Sequence, residues 1–171
     1  MMYQKAIDLL HQVSTNNGFL ASAENTTNYQ RVWARDGVIC GLAALASGDE
    51  QLILTFRKTL ETLAKHQHSN GTIPSNVLIN DGKKEVSYGG LAGRVDAVTW
   101  FIIGVCQYGF YTKDENFVQQ MQPNIEKCLS LLEAWNSTTN ICYTFRFQAI
   151  GRMNILLMVM FCTINYCGFG L

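Results

Sequence analysis

The chain has 171 residues, enough for one domain with its own core; 48% are hydrophobic and only 15% are charged. Thirteen basic and thirteen acidic residues cancel to a formal net charge of zero. No run of Lys or Arg offers an electrostatic footprint to nucleic acid or to an anionic membrane, so neither is expected as a partner, whereas a neutral substrate suits the balance.

In chain order, Ala6, Leu9, Leu10 and Val13 recur at helical spacing until Asn16-Asn17-Gly18 ends the period. Asp8 and other polar residues interrupt the N-terminal apolar positions, so no signal peptide is read there. Asn25 to Asn28 is a polar loop. A second helix is predicted from near Asp36, through Val38, Ile39, Leu42 and Leu45, to Ser47-Gly48. Asp49 then caps a third, with Leu52, Ile53, Phe56, Leu60 and Leu63 on one face. From His68 to Gly93 the period is lost among Asn70-Gly71, Pro74, Asn80-Asp81-Gly82 and Gly89-Gly90, and a long functional loop is expected. Helix returns at about Asp96 to Tyr108 and again from Asp114 to Trp135, where Phe117, Met121, Ile125, Cys128, Leu129 and Leu132 form a stripe. Strand signals are scarce. The expected class is all-α, an array of helical hairpins.

The six cysteines show no CxxC pair and no metal-ligand spacing, and His66 and His68 stand two apart at a helix end, a poor metal geometry. No metal and no cofactor are expected. Free thiols without a signal peptide suit a cytoplasmic protein.

Three segments concentrate unusual residue choices. In Tyr29-Gln30-Arg31-Val32-Trp33-Ala34-Arg35-Asp36-Gly37, a Trp stands beside an Arg-Asp pair at the head of an apolar helix. Aromatic faces stack on sugar C–H faces, and Arg and Asp hydrogen-bond adjacent hydroxyls. The plainer alternative is that Asp36 caps the helix. The second segment, Gln67 to Asn76, joins a helix end to the long loop. In the third, Gly93-Arg94-Val95-Asp96-Ala97-Val98-Thr99-Trp100-Phe101-Ile102-Ile103-Gly104, one carboxylate heads a strongly apolar helix. Partial desolvation there would raise its pKa toward that of a general acid, and a simple N-cap is again the alternative.

In this order, WARDG, QxxxGxIP and VDAxxWFI resemble the glycoside hydrolases built on six α-hairpins in a toroid. These comprise glucoamylases, the amylo-α-1,6-glucosidase part of glycogen debranching enzymes, and alkaline/neutral invertases. The resemblance covers about residues 1–135 and implies an incomplete α/α toroid with about five of its twelve helices. It implies that Asp96 is the proton donor to the glycosidic oxygen and that Trp33, Arg35 and Asp36 grip the terminal sugar. Trp100 matches an aromatic near the same pocket, while Gln67 and Arg94 are candidates for sugar contact or for support behind it. The implied substrate is an oligosaccharide or glucan. The implied reaction is inverting hydrolysis of an α-glucosidic bond, with the amylo-α-1,6-glucosidase favoured over the invertase. A carbohydrate-binding or scaffold protein without catalysis is the alternative.

An inverting pair of carboxylates stands about 6.5–9.5 Å apart. In the resembled enzymes the second comes from the later half of the toroid, and no acidic residue follows Glu133 here, so the base is expected to be missing. The domain is accordingly read as residues 1–144, with 145–171 an apolar tail. That tail is expected to be translated out of frame, a membrane anchor being the alternative. Joining the third base of each codon to the first two of the next forces Glu at Met153–Asn154, Gly at Met158–Val159 and Val at Met160–Phe161. Leu is forced at Phe161–Cys162, Asn165–Tyr166 and Tyr166–Cys167, and permitted choices elsewhere complete SGDWADEYPLDGYVLYDQLLWVWA. That text is acidic and Trp-rich, as a soluble hydrolase would be.

Overall fold

The computed structural model describes residues 2–24, 29–80, 83–89 and 95–138. The expected tail at 145–171 therefore lies outside the described residues. Five helices carry the described part: α1 (Met2–Gln12), α2 (Ala34–Ser47), α3 (Glu50–Lys65), α4 (Val95–Thr112) and α5 (Glu115–Thr138). The class is all-α, a partial array of helical hairpins, as expected. No helix among the described residues is long and apolar enough to cross a membrane.

The hairpins form where the sequence signals stops. Gly48 ends α2 with φ 72°, a left-handed conformation that glycine adopts without penalty, and its N–H bonds to Leu45 O. Asp49 then caps α3 by accepting from Leu52 N at 3.0 Å. Asp114 does the same for α5, accepting from Phe117 N at 3.0 Å. Phe117, Met121, Ile125 and Cys128 of the expected α5 stripe are buried, with Leu129 and Leu132 packed partly against them. Across the α3–α4–α5 junction, the Arg57 guanidinium donates to Glu61 at 2.9 Å and to Asp114 at 2.7 Å, and lies over the Phe117 ring.

The core sits between α2, α3 and α4, and small residues set how close they come. A Cβ on Gly37 would meet Thr59 Cγ2 at 2.7 Å, and one on Gly41 would meet Phe56 Cδ2 at 2.0 Å. On Gly104 it would lie 2.8 Å from Leu60 Cδ2 and 3.0 Å from Val38 Cγ2. Phe56, Leu60 and Val38 are fully buried, so they have no solvent to retreat into.

Two expectations change. The second helix begins at Ala34, two residues before Asp36, with Trp33 as an extended N-cap (φ −94°, ψ 139°) that makes no side-chain cap bond. The Ala34 N–H instead donates to Ser75 O at 3.0 Å, so a neighbouring segment replaces the cap. The stretch from His68 to Gly93 is also not all loop. It contributes β4 (Asn76–Asn80) and β5 (Lys83–Ser87), which join β3 (Val32–Trp33) in an antiparallel sheet ordered β3-β4-β5. Trp33 pairs with Asn76 and Asn76 with Ser87. A smaller ribbon, β1 (Ser14–Thr15) with β2 (Gly18–Phe19), occupies the expected stop after α1.

Replacing an exposed helical glycine by alanine stabilises a helix by about 1 kcal/mol. At Gly41 the overpacking cost of about 1–3 kcal/mol outweighs that gain. Gly41→Ala is therefore expected to lower the thermal midpoint followed by circular dichroism; a raised midpoint would contradict the close α2–α3 contact.

Candidate active site

The first turns of α2 and α4 meet at one end of the array. Arg35, the second residue of α2, donates from Nη1 to Oδ2 of Asp96, the second residue of α4, at 3.3 Å. Arg35 is half exposed and the Asp96 side chain retains 23% of its accessibility, so the pair opens to solvent on the guanidinium side. Asp96 lies within the helix rather than capping it, and its carbonyl accepts from the buried Thr99 hydroxyl at 3.0 Å. Trp100 follows one turn later on the same helical face and packs partly against the core.

Asp36 likewise falls inside the first turn of α2, where a negative charge suits the helix N-terminus. It also faces Cys40: burial first, and then the Asp36 charge, push that thiol above its ordinary pKa. Trp33 precedes α2 directly, so three of the expected residues, Trp33, Arg35 and Asp36, share one strand-to-helix junction, from which Arg35 reaches Asp96. Arg94 lies outside the described residues.

Gln67 sits elsewhere. Its amide nitrogen approaches Gly71 O and Asn124 O at 3.0 Å each and Cys128 Sγ at 3.3 Å, while its oxygen accepts from Asn124 Nδ2 at 2.8 Å. The carboxamide ties the α3 end and the following turn to α5. Beside it, burial pushes the Cys128 thiol up to about 12. Gly71 needs its small size there: its φ is 95°, and a Cβ would stand 2.2 Å from Lys127 O.

The sheet contributes a second polar group that none of the three motifs contains. Arg31 donates to Glu85 Oε2 at 2.6 Å and to Asn76 Oδ1 at 3.3 Å. Lys83 first, and then Arg31, hold the Glu85 carboxyl below its ordinary range. Asn76 is buried, so Arg31 satisfies an amide oxygen that would otherwise be costly. The available signal was the alternation of Tyr29, Arg31 and Trp33, a strand period immediately ahead of a helix. Among the described residues no group of three or more His, Cys, Asp or Glu could hold a metal ion.

The sequence model of the alkaline and neutral invertase family matches residues 4–152, and the chain belongs to that family of glycoside hydrolases. The matched span includes every residue of the α2–α4 junction. No curated protein matches the chain.

If Gln67 supports α5 rather than touching sugar, Gln67→Ala leaves Asn124 and Gly71 short of a partner at a cost of about 1–3 kcal/mol. The expected outcome is a lower midpoint in urea with unchanged sugar affinity of the folded fraction. Unchanged stability with weakened sugar binding would place Gln67 in the substrate site.

Proposed function

We propose that the chain is the N-terminal part of an inverting glycosidase in which Asp96 protonates the glycosidic oxygen of an α-glucosidic bond. The observation that carries this reading is the partly exposed Asp96 carboxylate in the first turn of α4, positioned by Arg35 of α2, inside the span matched by the family. Residues on two different elements hold the carboxylate at a solvent-facing edge, where a substrate oxygen can reach it. Arg35 and Asp36 offer a charged donor and an acceptor to sugar hydroxyls, and Trp33 and Trp100 offer ring faces to sugar C–H groups.

The family match moves the preferred substrate from an α-1,6-linked glucan to sucrose, because the matched family is the invertase one and no observation singles out the debranching type. Proton donation by Asp96 makes the leaving sugar a neutral alcohol. A second carboxylate on the opposite side of the bond would activate water, at the separation of about 6.5–9.5 Å that leaves room for it. We assign that base to the later half of the toroid, and the reaction to a cytoplasmic protein.

The codon constraints support a change of reading frame as the reason why residues past 144 look unlike the rest. The change is proposed to fall near residue 144 or 145, ahead of the codons that spell this segment; the family match itself runs on to residue 152. Sequencing the gene across codons 140–171 tests this directly. The expected result is a continuous downstream frame encoding the Trp-rich acidic segment; an immediate stop there would sink it.

In the frame-restored protein, Asp96→Asn is expected to lower kcat on sucrose by about 10²–10⁴-fold, the usual contribution of a general acid, while sugar binding persists. Unchanged turnover would remove Asp96 from the mechanism and favour a scaffold. The purified 171-residue chain is expected to release no glucose from sucrose, maltose or isomaltose.

A further inference from the structure

Just ahead of β4 stands a serine that none of the three motifs contains, Ser75. It is 5% exposed, and its N–H, hydroxyl and carbonyl are all engaged. The N–H donates to Ser87 O at 2.8 Å, and the hydroxyl donates to the same oxygen at 3.0 Å. The carbonyl accepts from Ala34 N at 3.0 Å, one step beyond the Trp33–Asn76 pair of the sheet. The ladder of the sheet thus runs on into the first residue of α2, whose N-cap, Trp33, supplies no side-chain bond. The Ser75 hydroxyl is also held from a second side. It accepts from Asn76 Nδ2 at 3.4 Å, while Asn76 Oδ1 accepts from Arg31, which is paired with Glu85.

Arg35 follows Ala34 directly. Its guanidinium is half exposed, and among the described residues it bonds to Asp96 alone, at 3.3 Å. A tight charge-assisted bond spans about 2.7–2.9 Å, so this longer contact depends on where the Arg35 backbone is placed. The glycine seam with α3 begins at Gly37; ahead of it, the Ala34–Ser75 bond ties the entry of α2 to the sheet. We infer that Ser75 is a positioning residue for the reaction: through Ala34 it sets the start of α2 and so holds Arg35 against Asp96. The inference rests on the glycosidase reading of Asp96. With its N–H bond alone, the Ser75 peptide could pivot about Ser87 O. The second bond, from the hydroxyl to that same oxygen, prevents the pivot. A misplacement of about 1 Å at a reacting group can cost on the order of 10²-fold in rate, so a small pivot is enough to matter.

Two measurements test this. In the 171-residue chain, Arg35 is followed by the side-chain Nε–H resonance of isotope-labelled arginine, identified by its loss in Arg35→Ala. Ser75→Ala is expected to move that resonance toward the position of a free arginine. Ala34→Pro is expected to do the same, because it removes the N–H yet suits both the first helical position and the extended Trp33 before it. In the frame-restored protein, Ser75→Ala is expected to lower kcat on sucrose about threefold to tenfold, as loss of one hydrogen bond would. Circular dichroism at the assay temperature keeps the comparison to folded enzyme. Acting through Arg35, Ser75→Ala lowers kcat no further in an Arg35→Ala background, whereas a merely structural role would multiply the two losses. An unmoved Arg35 resonance in Ser75→Ala, or multiplied losses, overturns the proposal. Failure of the glycosidase reading looks different: the frame-restored wild type releases no glucose from sucrose, or Asp96→Asn changes nothing, while the Arg35 resonance still reports whether Ser75 holds that residue.

Discussion

The close approach of α2 to α3 at Gly37 and Gly41 is the contact on which the remaining geometry depends. Thr59 lies at its centre. Its methyl group fills the space left by Gly37, and its hydroxyl accepts from Phe19 N at 2.9 Å while donating to Thr55 O at 3.1 Å. One buried side chain thus sets the distance between two helices and anchors β2 against them. Phe56 occupies the matching gap at Gly41, and Gly104 lets α4 settle on Val38 and Leu60. A methyl group inserted at any of these points would have to push helices apart, because a close-packed interior has no slack to absorb it. The helix ends move with the helices. A change in the α2–α4 distance would therefore be felt at the Arg35–Asp96 contact.

Backbone polarity is settled at the same end of the molecule. The start of α2 lacks a capping side chain, which would leave its first N–H groups costly to bury. Ser75 O meets Ala34 N, and Ser75 is itself held by two bonds to Ser87 O, one from its N–H at 2.8 Å and one from its hydroxyl at 3.0 Å. The β4–β5 hairpin thus serves as the cap of α2. Asn76 and Arg31 extend the same principle, a buried amide paired with a charge that is in turn paired with Glu85. The strands β4 and β5 thus supply the hydrogen bond that the start of α2 needs.

Much of this could be read in the sequence, and the failures have physical reasons. The helices of the array and their stops were visible because period and punctuation agree: Gly48 and Asp49 end one helix and begin the next, and Phe117 to Leu132 keep a single stripe. The hairpin is not visible: Asn76–Asn80 and Lys83–Ser87 alternate poorly, with Leu78 half-buried and Ile79 exposed, and Asn80-Asp81-Gly82 suits loop punctuation as well as, through Asp-Gly, a hairpin. The start of α2 lies two residues ahead of Asp36, where Ser75 O, remote in sequence, receives the Ala34 N–H. Asp96 was singled out as a lone carboxylate heading an apolar helix; that Arg35 faces it depends on tertiary packing, which no local pattern encodes. Gln67 was read for its motif, yet its contacts run to α5, on residues far along the chain.

Stability and chemistry draw on different residues in this arrangement. Arg35 and Asp96 form a partly exposed ion pair, and such pairs contribute about 0–1 kcal/mol to folding. The stabilising work is done by the glycine seams, by the Arg57 cluster at the α3–α5 junction and by the Gln67–Asn124 tie, none of which touches Asp96. The pair therefore adds little to the fold, and its position where two helix N-terminal turns converge leaves it open to solvent. Rigid support beneath exposed, energetically inexpensive groups is the condition for orienting a ligand without reorganisation on binding. The α2–α4 packing fulfils that condition for Arg35 and Asp96.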